Sequence, residues 1–393
     1  MRRSRFGRAV AALLVVLGLA AATAGCTSPP ADFYTPAPGV AGTPGTVLKT
    51  ANTTLSGTSD VKAVAIQYRS RSATNQAIAV TGSVYVPNAA WTGTGPRPIV
   101  SVAQGTQGLS DNCAPSKSLV NGLNYELGYI QALLARGWAV AVTDYEGLGT
   151  PGKHTYIVAD AEAHAQLDIV RAATKVSELG LSPSAPVGLI GYSQGGQAAA
   201  RSAEIESTYA PELNVAGVVA GGVPSDPEQL ATTLDGGAFF AFLAFAAYGL
   251  DAAYPELNLE NYLNADGQAL FAAADTYCIA DGLANGAFKS IAQLTTSNPI
   301  ARPDWQARLD QNRLGTVAPQ VPVFQYHSII DEIIPYAQGT TLRDAWCAKG
   351  AEVRWMDLFL GEHALGIFQG QTDTINFLND RFTGVPFQPT CNA

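Results

Sequence analysis

The feature that most constrains this chain is a serine set between glycines at a strand-to-helix junction. Residues 191–195, Gly-Tyr-Ser-Gln-Gly, match the pattern G-x-S-x-G. The apolar run 187–190 precedes them, and the Ala-rich stretch 195–209 follows. In this setting the pattern forms a nucleophile elbow, a tight turn that exposes the serine hydroxyl above a sheet. We therefore predict that Ser193 is a catalytic nucleophile. The alternative is an ordinary helix N-cap beside a glycine turn.

Strand and helix patterns alternate along most of the chain, which predicts the fold class. Two β-rich runs, 64–68 and 78–86, come first as a hairpin or meander. Later strands are predicted at 98–103, 138–143, 187–190, 215–220, 321–326 and 353–360, and helices at 125–135, 160–176, 195–209, 337–349 and 364–379. This alternation predicts an α/β fold with a mainly parallel sheet covered by helices on both faces.

The alternation stops between residues 224 and 315. This segment looks helical and is rich in aromatic residues: Phe239, Phe240, Phe242, Phe245, Tyr248 and Tyr254. One interpretation is extra core packing. The favoured one is a helical cap over an active site, because an insertion between strands brings apolar side chains to the mouth of the site.

The first residues carry the pattern of an export signal. Four arginines precede the apolar run 9–19, and small residues follow through Gly25. The run is too short for a conventional membrane span. Residues 23–26, Thr-Ala-Gly-Cys, resemble a lipoprotein signal, which would put an acyl chain on Cys26, whereas 22–24, Ala-Thr-Ala, also fit ordinary secretory cleavage. We expect an exported protein, either a cell-surface lipoprotein or a secreted one.

The expected domain organisation follows from these patterns. A signal peptide at 1–25 precedes a Pro/Gly-rich stretch at 26–48, which forms a tether or a surface-draped arm. The α/β core then has two parts, 49–223 and 316–393, separated by the cap at 224–315.

The charge balance excludes a class of partners. Cleavage removes four Arg and no acid, which leaves 19 basic and 32 acidic residues, a net charge near −13. Nucleic-acid binding needs clustered Lys and Arg, so we expect no nucleic-acid partner. An anionic membrane would also repel this surface, so a membrane association would rest on a lipid at Cys26.

The cysteines indicate disulfides rather than a metal site. If Cys26 carries a lipid, four cysteines remain and allow three pairings: Cys113, Cys278, Cys347 and Cys391. None of them has the close spacing of a zinc site, and the four histidines show no HExxH pattern. We predict neither a metal nor a cofactor.

The proposed nucleophile needs a base, and the base needs an acid to orient it. In sheets of this kind the chain order is serine, acid, histidine. Asp331 follows one predicted strand and His363 follows the next, so both should lie with Ser193 at the carboxyl edge of the sheet, where active sites of open α/β sheets form. We predict His363 as the base and Asp331 as its orienting acid.

Three other residues have side chains of a type that could serve in these roles. Glu332 is an alternative acid, and His327 is an alternative base or else a half-buried histidine satisfied by local backbone. Asp144 also follows a predicted strand, but it precedes Ser193 in the chain. We expect Asp144 to be structural or to line the substrate.

An oxyanion hole is predicted from two backbone N–H groups. The first belongs to Gln194, directly after the nucleophile. The second is expected from Thr106 or Gln107, in the loop 104–108, Gln-Gly-Thr-Gln-Gly, that follows the strand ending at Ala103. The alternative for this loop is a structural glycine turn.

Several longer segments carry a family resemblance. They are DFYTP at 32–36, QYRS at 67–70, CAPS at 113–116, DYEGLG at 144–149, GYSQGG at 191–196, YH at 326–327, DEIIPY at 331–336 and EH at 362–363. Over most of its mature length the chain resembles the secretory lipases of the Candida antarctica lipase A type. The resemblance implies an α/β-hydrolase fold with a helical cap, the triad Ser193, Asp331 and His363, and the disulfides Cys113–Cys278 and Cys347–Cys391. The eukaryotic lipases have a Tyr-rich segment that ends in an acidic residue where this chain has the loop 104–108. The resemblance therefore does not identify the second oxyanion donor.

The function expected is hydrolysis of acylglycerols through an acyl-enzyme on Ser193. The aromatic cap favours an apolar acyl group, and the partner expected is a lipid or ester substrate. Alternatives are a carboxylesterase or an acyltransferase acting on shorter or non-glyceride esters. Less favoured are a peptidase, because the same triad can cleave amides, and an exported binding lipoprotein without turnover.

Overall fold

A single mixed sheet forms the centre of the computed structural model, which describes residues 27–391. Its strands are β1 (Val47–Asn52), β2 (Val61–Arg71), β3 (Ala77–Pro87), β4 (Ile99–Ala103), β5 (Ala139–Thr143), β6 (Pro186–Tyr192), β7 (Asn214–Gly221), β8 (Val323–Ser328) and β9 (Val353–Leu358). They lie in the order β1-β2-β3-β5-β4-β6-β7-β8-β9. The pairs from β1 to β5 along this order are antiparallel, and all pairs from β5 to β9 are parallel. The prediction of a mainly parallel sheet is confirmed.

Helices cover both faces of this sheet. They are α1 (Pro115–Asn121), α2 (Leu127–Ala135), α3 (Ala159–Ala173), α4 (Gln194–Tyr209), α5 (Pro227–Leu234), α6 (Phe240–Ala253), α7 (Ala265–Ala274), α8 (Ile279–Gly286), α9 (Ile291–Leu294), α10 (Pro303–Gln311), α11 (Tyr336–Ala348), α12 (His363–Gln369) and α13 (Gln371–Phe382). One apolar core lies under α3, α4 and α11, and a second lies under α1, α2 and α13. Because β4 and β5 are buried along their whole length, they consist almost entirely of small and apolar residues.

The inserted helices α5 to α10 connect β7 to β8, where the sequence predicts a helical cap. They pack on the core through apolar contacts with α3 and with the segment that directly precedes it. Tyr156 lies in one cluster with Phe245 and Tyr248, and Val158 lies in another with Trp305. The aromatic residues of the insertion therefore hold it against the core beside the carboxyl ends of the strands.

The amino-terminal stretch is more ordered than a free tether. Phe33 and Tyr34 are buried against Ala65 of β2, and the ammonium group of Lys49 donates to the carbonyl oxygens of Asp32 and Thr35. Of the two forms expected for this stretch, its described part has that of a draped arm. It ends in β1, a strand that the sequence patterns did not predict.

The helix predicted at 364–379 is instead two helices, α12 and α13, separated by Gly370. A Cβ at Gly370 would lie 2.4 Å from the ring of Tyr326, so a glycine is needed where the chain crosses this ring. The prediction of one continuous helix was wrong because this contact is made with a distant strand.

Both cysteine pairs implied by the resemblance are joined in the structure, Cys113 to Cys278 and Cys347 to Cys391. The predicted signal peptide and the lipidation site at Cys26 lie outside the described residues. Between residues 27 and 391, no helix has both the length and the apolar character that a membrane crossing requires.

Candidate active site

Ser193 occupies a strained turn between β6 and α4. Its φ of 59° and ψ of −122° are costly for a residue with a side chain. The flanking glycines allow this turn, because a Cβ at Gly191 would lie 1.9 Å from the carbonyl oxygen of Gly195, and a Cβ at Gly195 would lie 1.9 Å from that of Ala103. Ser193 holds the N-cap position of α4, but its hydroxyl caps no helix N–H. The N-cap alternative therefore does not explain this side chain.

The three predicted triad residues meet at the carboxyl edge of the sheet. Ser193 Oγ lies 2.9 Å from His363 Nε2, and His363 Nδ1 lies 2.7 Å from Asp331 Oδ2. His363 begins α12 after β9, and Asp331 lies in the loop after β8. The other oxygen of Asp331 accepts the backbone N–H groups of Ile333 and Ile334 at 3.0 and 2.7 Å. The geometry suits proton transfer from the serine to a histidine oriented by a carboxylate.

The electrostatics keep Asp331 ionised. Burial opposes the charged form, but hydrogen bonds from His327 and His363 outweigh it and hold the pKa of Asp331 below its ordinary value. An ionised carboxylate accepts the Nδ1 proton of His363, which leaves Nε2 free to accept a proton from Ser193.

The alternative acid and base occupy other positions. The Nε2 atom of His327, which is fully buried, lies 2.9 Å from the carbonyl oxygen of Ile334 and 3.3 Å from Asp331 Oδ2. Glu332 is exposed, and its carboxylate accepts the backbone N–H of His363 at 2.9 Å rather than contacting the imidazole. Neither residue contacts Ser193 in the described structure.

The loop 104–108 passes directly beside the elbow. A Cβ at Gly195 would lie 2.9 Å from the carbonyl carbon of Gln104. The backbone N–H groups of Thr106 and Gln107 have no protein acceptor in the described structure. The N–H of Gln194 is the first of α4 and has no intrahelical partner by position. None of these three N–H groups is hydrogen-bonded within the described structure, and Thr106 and Gln107 stay equal candidates for the second donor.

A buried polar network lies behind the elbow, and the sequence patterns did not reveal it. The side-chain amide of Gln194 donates to Glu162 Oε1 at 2.7 Å and contacts His154 Nε2 at 3.1 Å. Burial raises the pKa of Glu162 to about 8 and lowers the pKa of His154 to about 4. These directions favour the neutral form of both groups at pH 7. The only available signal was the charged position 162 on the buried face of the predicted helix.

Asp144 was expected either to be structural or to line the substrate, and its contacts are structural. It is fully buried, and its carboxylate accepts from Thr81 Oγ1 at 2.7 Å and from the backbone N–H of Ser116 at 2.7 Å. Burial raises its pKa to about 6. These bonds join the start of α1 to β3 through Asp144, which directly follows β5.

Exposed apolar side chains surround the two loops that carry Asp331 and His363. This apolar rim is between 41% and 76% exposed and consists of Ile329, Ile330, Phe359, Leu360, Leu365 and Phe368. The two loops are adjacent, because Ile329 N–H donates to the carbonyl oxygen of Leu358 and Ser328 Oγ donates to that of Gly361. The segments 329–334 and 359–370 contain no Lys or Arg. A large exposed apolar surface of this kind marks an interaction site.

No group of three or more His, Cys, Asp or Glu side chains between residues 27 and 391 is arranged to hold a metal ion.

The chain is similar to known proteins along most of its length. A model of the secretory lipase family matches residues 114–389. A secreted triacylglycerol lipase of Malassezia furfur is 31% identical over 311 residues, 75% of this chain and 66% of the relative, so the chain spans about two thirds of that protein's length. A Mycobacterium tuberculosis protein described as a probable inactive lipase is 29% identical over 375 residues, 90% of this chain and 82% of that protein. The X-ray structure of Candida antarctica lipase A superposes with a TM-score of 0.84 at 27% identity, covering 92% of this chain and 88% of that one. The predicted α/β-hydrolase fold is confirmed.

Proposed function

Because the chain belongs to the secretory lipase family, we propose that it is an exported serine hydrolase that cleaves the carboxylic ester bonds of acylglycerols. The observation that carries this proposal is the continuous hydrogen-bonded series from Ser193 through His363 to Asp331. It supplies the nucleophile, the base and the orienting acid that ester hydrolysis needs.

The proposed reaction has two halves. In the first, His363 Nε2 takes the proton of Ser193 as its oxygen attacks the ester carbonyl carbon. The resulting oxyanion is stabilised by the N–H of Gln194 and by that of Thr106 or Gln107. The intermediate collapses as His363 gives its proton to the leaving alcohol, which leaves the acyl group on Ser193. In the second half, His363 removes a proton from water as the water oxygen attacks the acyl-enzyme. The second intermediate then collapses as His363 returns this proton to Ser193 Oγ, the acyl–oxygen bond breaks and a carboxylic acid leaves.

The apolar rim supports an emulsified, uncharged substrate over a small soluble ester. Burying its exposed side chains against lipid is favourable by roughly 25 cal/mol per Å². The absence of Lys and Arg from its two segments gives it no attraction for anionic headgroups. A carboxylesterase or acyltransferase acting on shorter esters uses the same triad and is the alternative within this class.

A second candidate comes from the relative described as a probable inactive lipase. Under it, the chain would be an exported binding protein without turnover. The complete triad geometry of this chain argues for the enzyme, because a binding role requires no hydrogen-bonded nucleophile, base and acid.

Export agrees with the secreted relatives. Within that conclusion we propose that Cys26 carries an acyl chain and anchors the protein at the cell surface; secretion without an anchor is the other outcome. Mass spectrometry of the amino-terminal peptide separates them, since only the anchored form gains the mass of the acyl groups.

The experiment that tests the function is hydrolysis by the purified chain from residue 27. The substrates are para-nitrophenyl esters from acetate to palmitate, emulsified tributyrin and triolein, and a para-nitroanilide. Ser193→Ala should abolish activity on the esters and emulsions, whereas Ser184→Ala, at an exposed serine outside the site, should not change it. Activity on short esters alone would support the esterase. Ser193-dependent cleavage of only the anilide would support a peptidase, and no Ser193-dependent turnover would support the binding protein.

A further inference from the structure

Four of the five backbone carbonyl oxygens in the loop 104–108 accept hydrogen bonds. The carbonyl oxygen of Gln104 accepts from the Tyr145 hydroxyl at 2.7 Å. That of Gly105 accepts from the side-chain amide of Gln107 at 3.1 Å, and that of Gln107 accepts from the N–H of Ile279 at 2.8 Å. Buried backbone groups are almost always paired, so the N–H groups of Thr106 and Gln107, which have no protein acceptor in the described structure, are conspicuous.

One short segment, Asn124-Tyr125-Glu126, contacts this loop with all three of its side chains. Asn124 exchanges hydrogen bonds with the side chain of Gln104 at 2.7 and 3.2 Å. The Tyr125 hydroxyl donates to the carbonyl oxygen of Thr106 at 3.2 Å, and Glu126 accepts the N–H of Gly105 at 2.6 Å. These bonds hold the peptide units on both sides of the unpaired Thr106 N–H.

Glu126 is an unusual residue for this task, because it is 1% exposed and forms no ion pair with another described residue. Burial raises its pKa to about 7, although the bonds from Gly105 and Tyr125 oppose this shift. A buried carboxyl group without a cation is costly for the fold. The Glu126 carboxyl group contacts the backbone beside the unpaired N–H groups, and holding this backbone in place would explain why a costly buried carboxyl group is present.

We propose that Glu126 is a positioning residue for the oxyanion hole: it fixes the Gly105 peptide, and through it the orientation of the free N–H groups of Thr106 and Gln107. This inference rests on the proposed function, since it assigns a role within ester hydrolysis. Glu126 does not touch the substrate. Its effect comes through the loop, which packs closely at Gly105: a Cβ there would lie 2.5 Å from the Tyr125 hydroxyl and 3.3 Å from the carbonyl oxygen of Tyr192.

The test compares Glu126→Ala with Glu126→Gln on the best para-nitrophenyl ester. Loss of one oxyanion donor costs about 10²- to 10³-fold in kcat, so its misalignment in Glu126→Ala should lower kcat by about 10- to 100-fold with little change in KM. Glu126→Gln keeps an oxygen that accepts the Gly105 N–H and should restore kcat to within about threefold of the unmodified enzyme. A trifluoromethyl ketone, which forms a tetrahedral oxyanion on the serine, should lose affinity in parallel with kcat.

The matched control is Glu204→Ala, which removes another buried glutamate, bonded to Trp346 and to the N–H of Gly315. It should lower the melting temperature without lowering kcat. Equal kcat in Glu126→Ala and the unmodified enzyme would overturn the proposal, as would a Glu126→Gln variant as slow as Glu126→Ala. If Glu126→Ala does not fold, Tyr125→Phe tests the proposal instead, because Tyr125 is 41% exposed and its substitution should not disturb folding. In this variant kcat should fall about threefold or more. An unchanged kcat overturns the proposal. Failure of the proposed function is separate, because the unmodified enzyme would then show no Ser193-dependent turnover.

Discussion

Asp331 shares one carboxylate oxygen between two imidazoles: its Oδ2 atom lies 3.3 Å from Nε2 of His327 as well as 2.7 Å from Nδ1 of His363. His327 lies behind the acid and cannot reach the nucleophile, because its Nε2 is held by the carbonyl oxygen of Ile334. The acid of the proposed triad is therefore fixed from two sides, by the ring of the proposed base His363 and by the ring of His327.

Asp331→Asn should lower kcat by about 10⁴-fold, because an amide can donate to His363 and stabilise the wrong tautomer. The fold should persist, since an amide oxygen can still accept the N–H groups of Ile333 and Ile334. Steady-state kinetics and circular dichroism on the same sample measure both effects. A variant with activity near that of the unmodified enzyme would reassign the acid, with Glu332 as the next residue to change.

His327→Ala should have a much smaller effect, about tenfold on kcat, which corresponds to the loss of one charge-assisted hydrogen bond to Asp331. The proposed base, His363, remains in place. The measurement is kcat beside that of His363→Ala, which should be lower by a further factor of about 10³. Equal losses in the two variants would contradict the supporting role and point to His327 in proton transfer.

The two disulfides should differ in their contribution to stability. Cys113–Cys278 closes a loop across 165 residues and Cys347–Cys391 one across 44 residues, so the chain-entropy model gives the first about 1 kcal/mol more stabilisation. Urea denaturation of Cys113→Ser/Cys278→Ser and Cys347→Ser/Cys391→Ser measures this. The first pair should also lower activity, because the neighbouring N–H groups of Leu109 and Ser110 donate to Tyr277. A larger loss of stability from the second pair would contradict the prediction.

The stability of the fold should fall as the pH rises above neutrality, partly because of Glu162. Its folded pKa of about 8 lies above its ordinary value of 4.5, so it stabilises the fold when protonated and loses this contribution between about pH 4.5 and 8. His154 has the opposite sign: its folded pKa of about 4 lies below 6.5, so its contribution is lost as the pH falls below 6.5. Between pH 6.5 and 8.5 Glu162 therefore acts without compensation from His154.

Melting temperatures at pH 6.5 and 8.5 test this for Glu162→Gln. Its melting temperature should fall less over this interval than that of the unmodified protein, although Glu126 and Glu146, whose pKa values burial raises to about 7, keep part of the slope. Glu178→Gln, at an exposed glutamate, is the control and should leave the slope as it was. An unchanged slope in Glu162→Gln would show that Glu162 is already ionised in the fold.

The apolar rim should matter for emulsions and not for dissolved substrates. Phe359→Ser/Leu360→Ser removes its two most exposed side chains and should slow triolein hydrolysis about tenfold through weaker adsorption. The rate on a dissolved short ester should stay within about twofold, because neither residue takes part in the triad. Val385→Ser changes an exposed apolar residue beyond α13 and serves as the control. Equal slowing on both substrates would mean that the rim supports the triad loops instead of contacting lipid.

The sequence was sufficient for the elbow and for the grouping of Ser193, Asp331 and His363. The reason is topological: carboxyl ends of neighbouring parallel strands meet at one edge, so chain order and strand ends predict proximity. The same argument predicts nothing about Glu126 or Glu162. Their partners, Gly105 and Gln194, lie 21 and 32 positions away, and no periodic pattern records such side-chain bonds.

The amino-terminal stretch shows a different limit. Its many Pro and Gly residues correctly indicate that it has no core of its own, but composition does not reveal where two aromatic side chains attach. Phe33 and Tyr34 are buried because they pack against Ala65 of β2 and because the Tyr34 hydroxyl is hydrogen-bonded to that of Ser116 in α1; these partners are distant in the chain.

The burial of Phe33 limits how far the folded domain can lie from Cys26. Phe33 is seven positions after Cys26, and seven residues of fully extended chain span at most about 25 Å. With the proposed acyl chain on Cys26, the linker would keep Phe33 within this distance of the membrane anchor. The enzyme would then act on lipid that comes to within a few nanometres of the membrane that holds it. Released without the acyl chain, the same molecule could diffuse to a distant droplet. The processing of the leader sequence, and not the catalytic site, would then decide whether the protein acts on distant lipid or only on lipid near the cell surface.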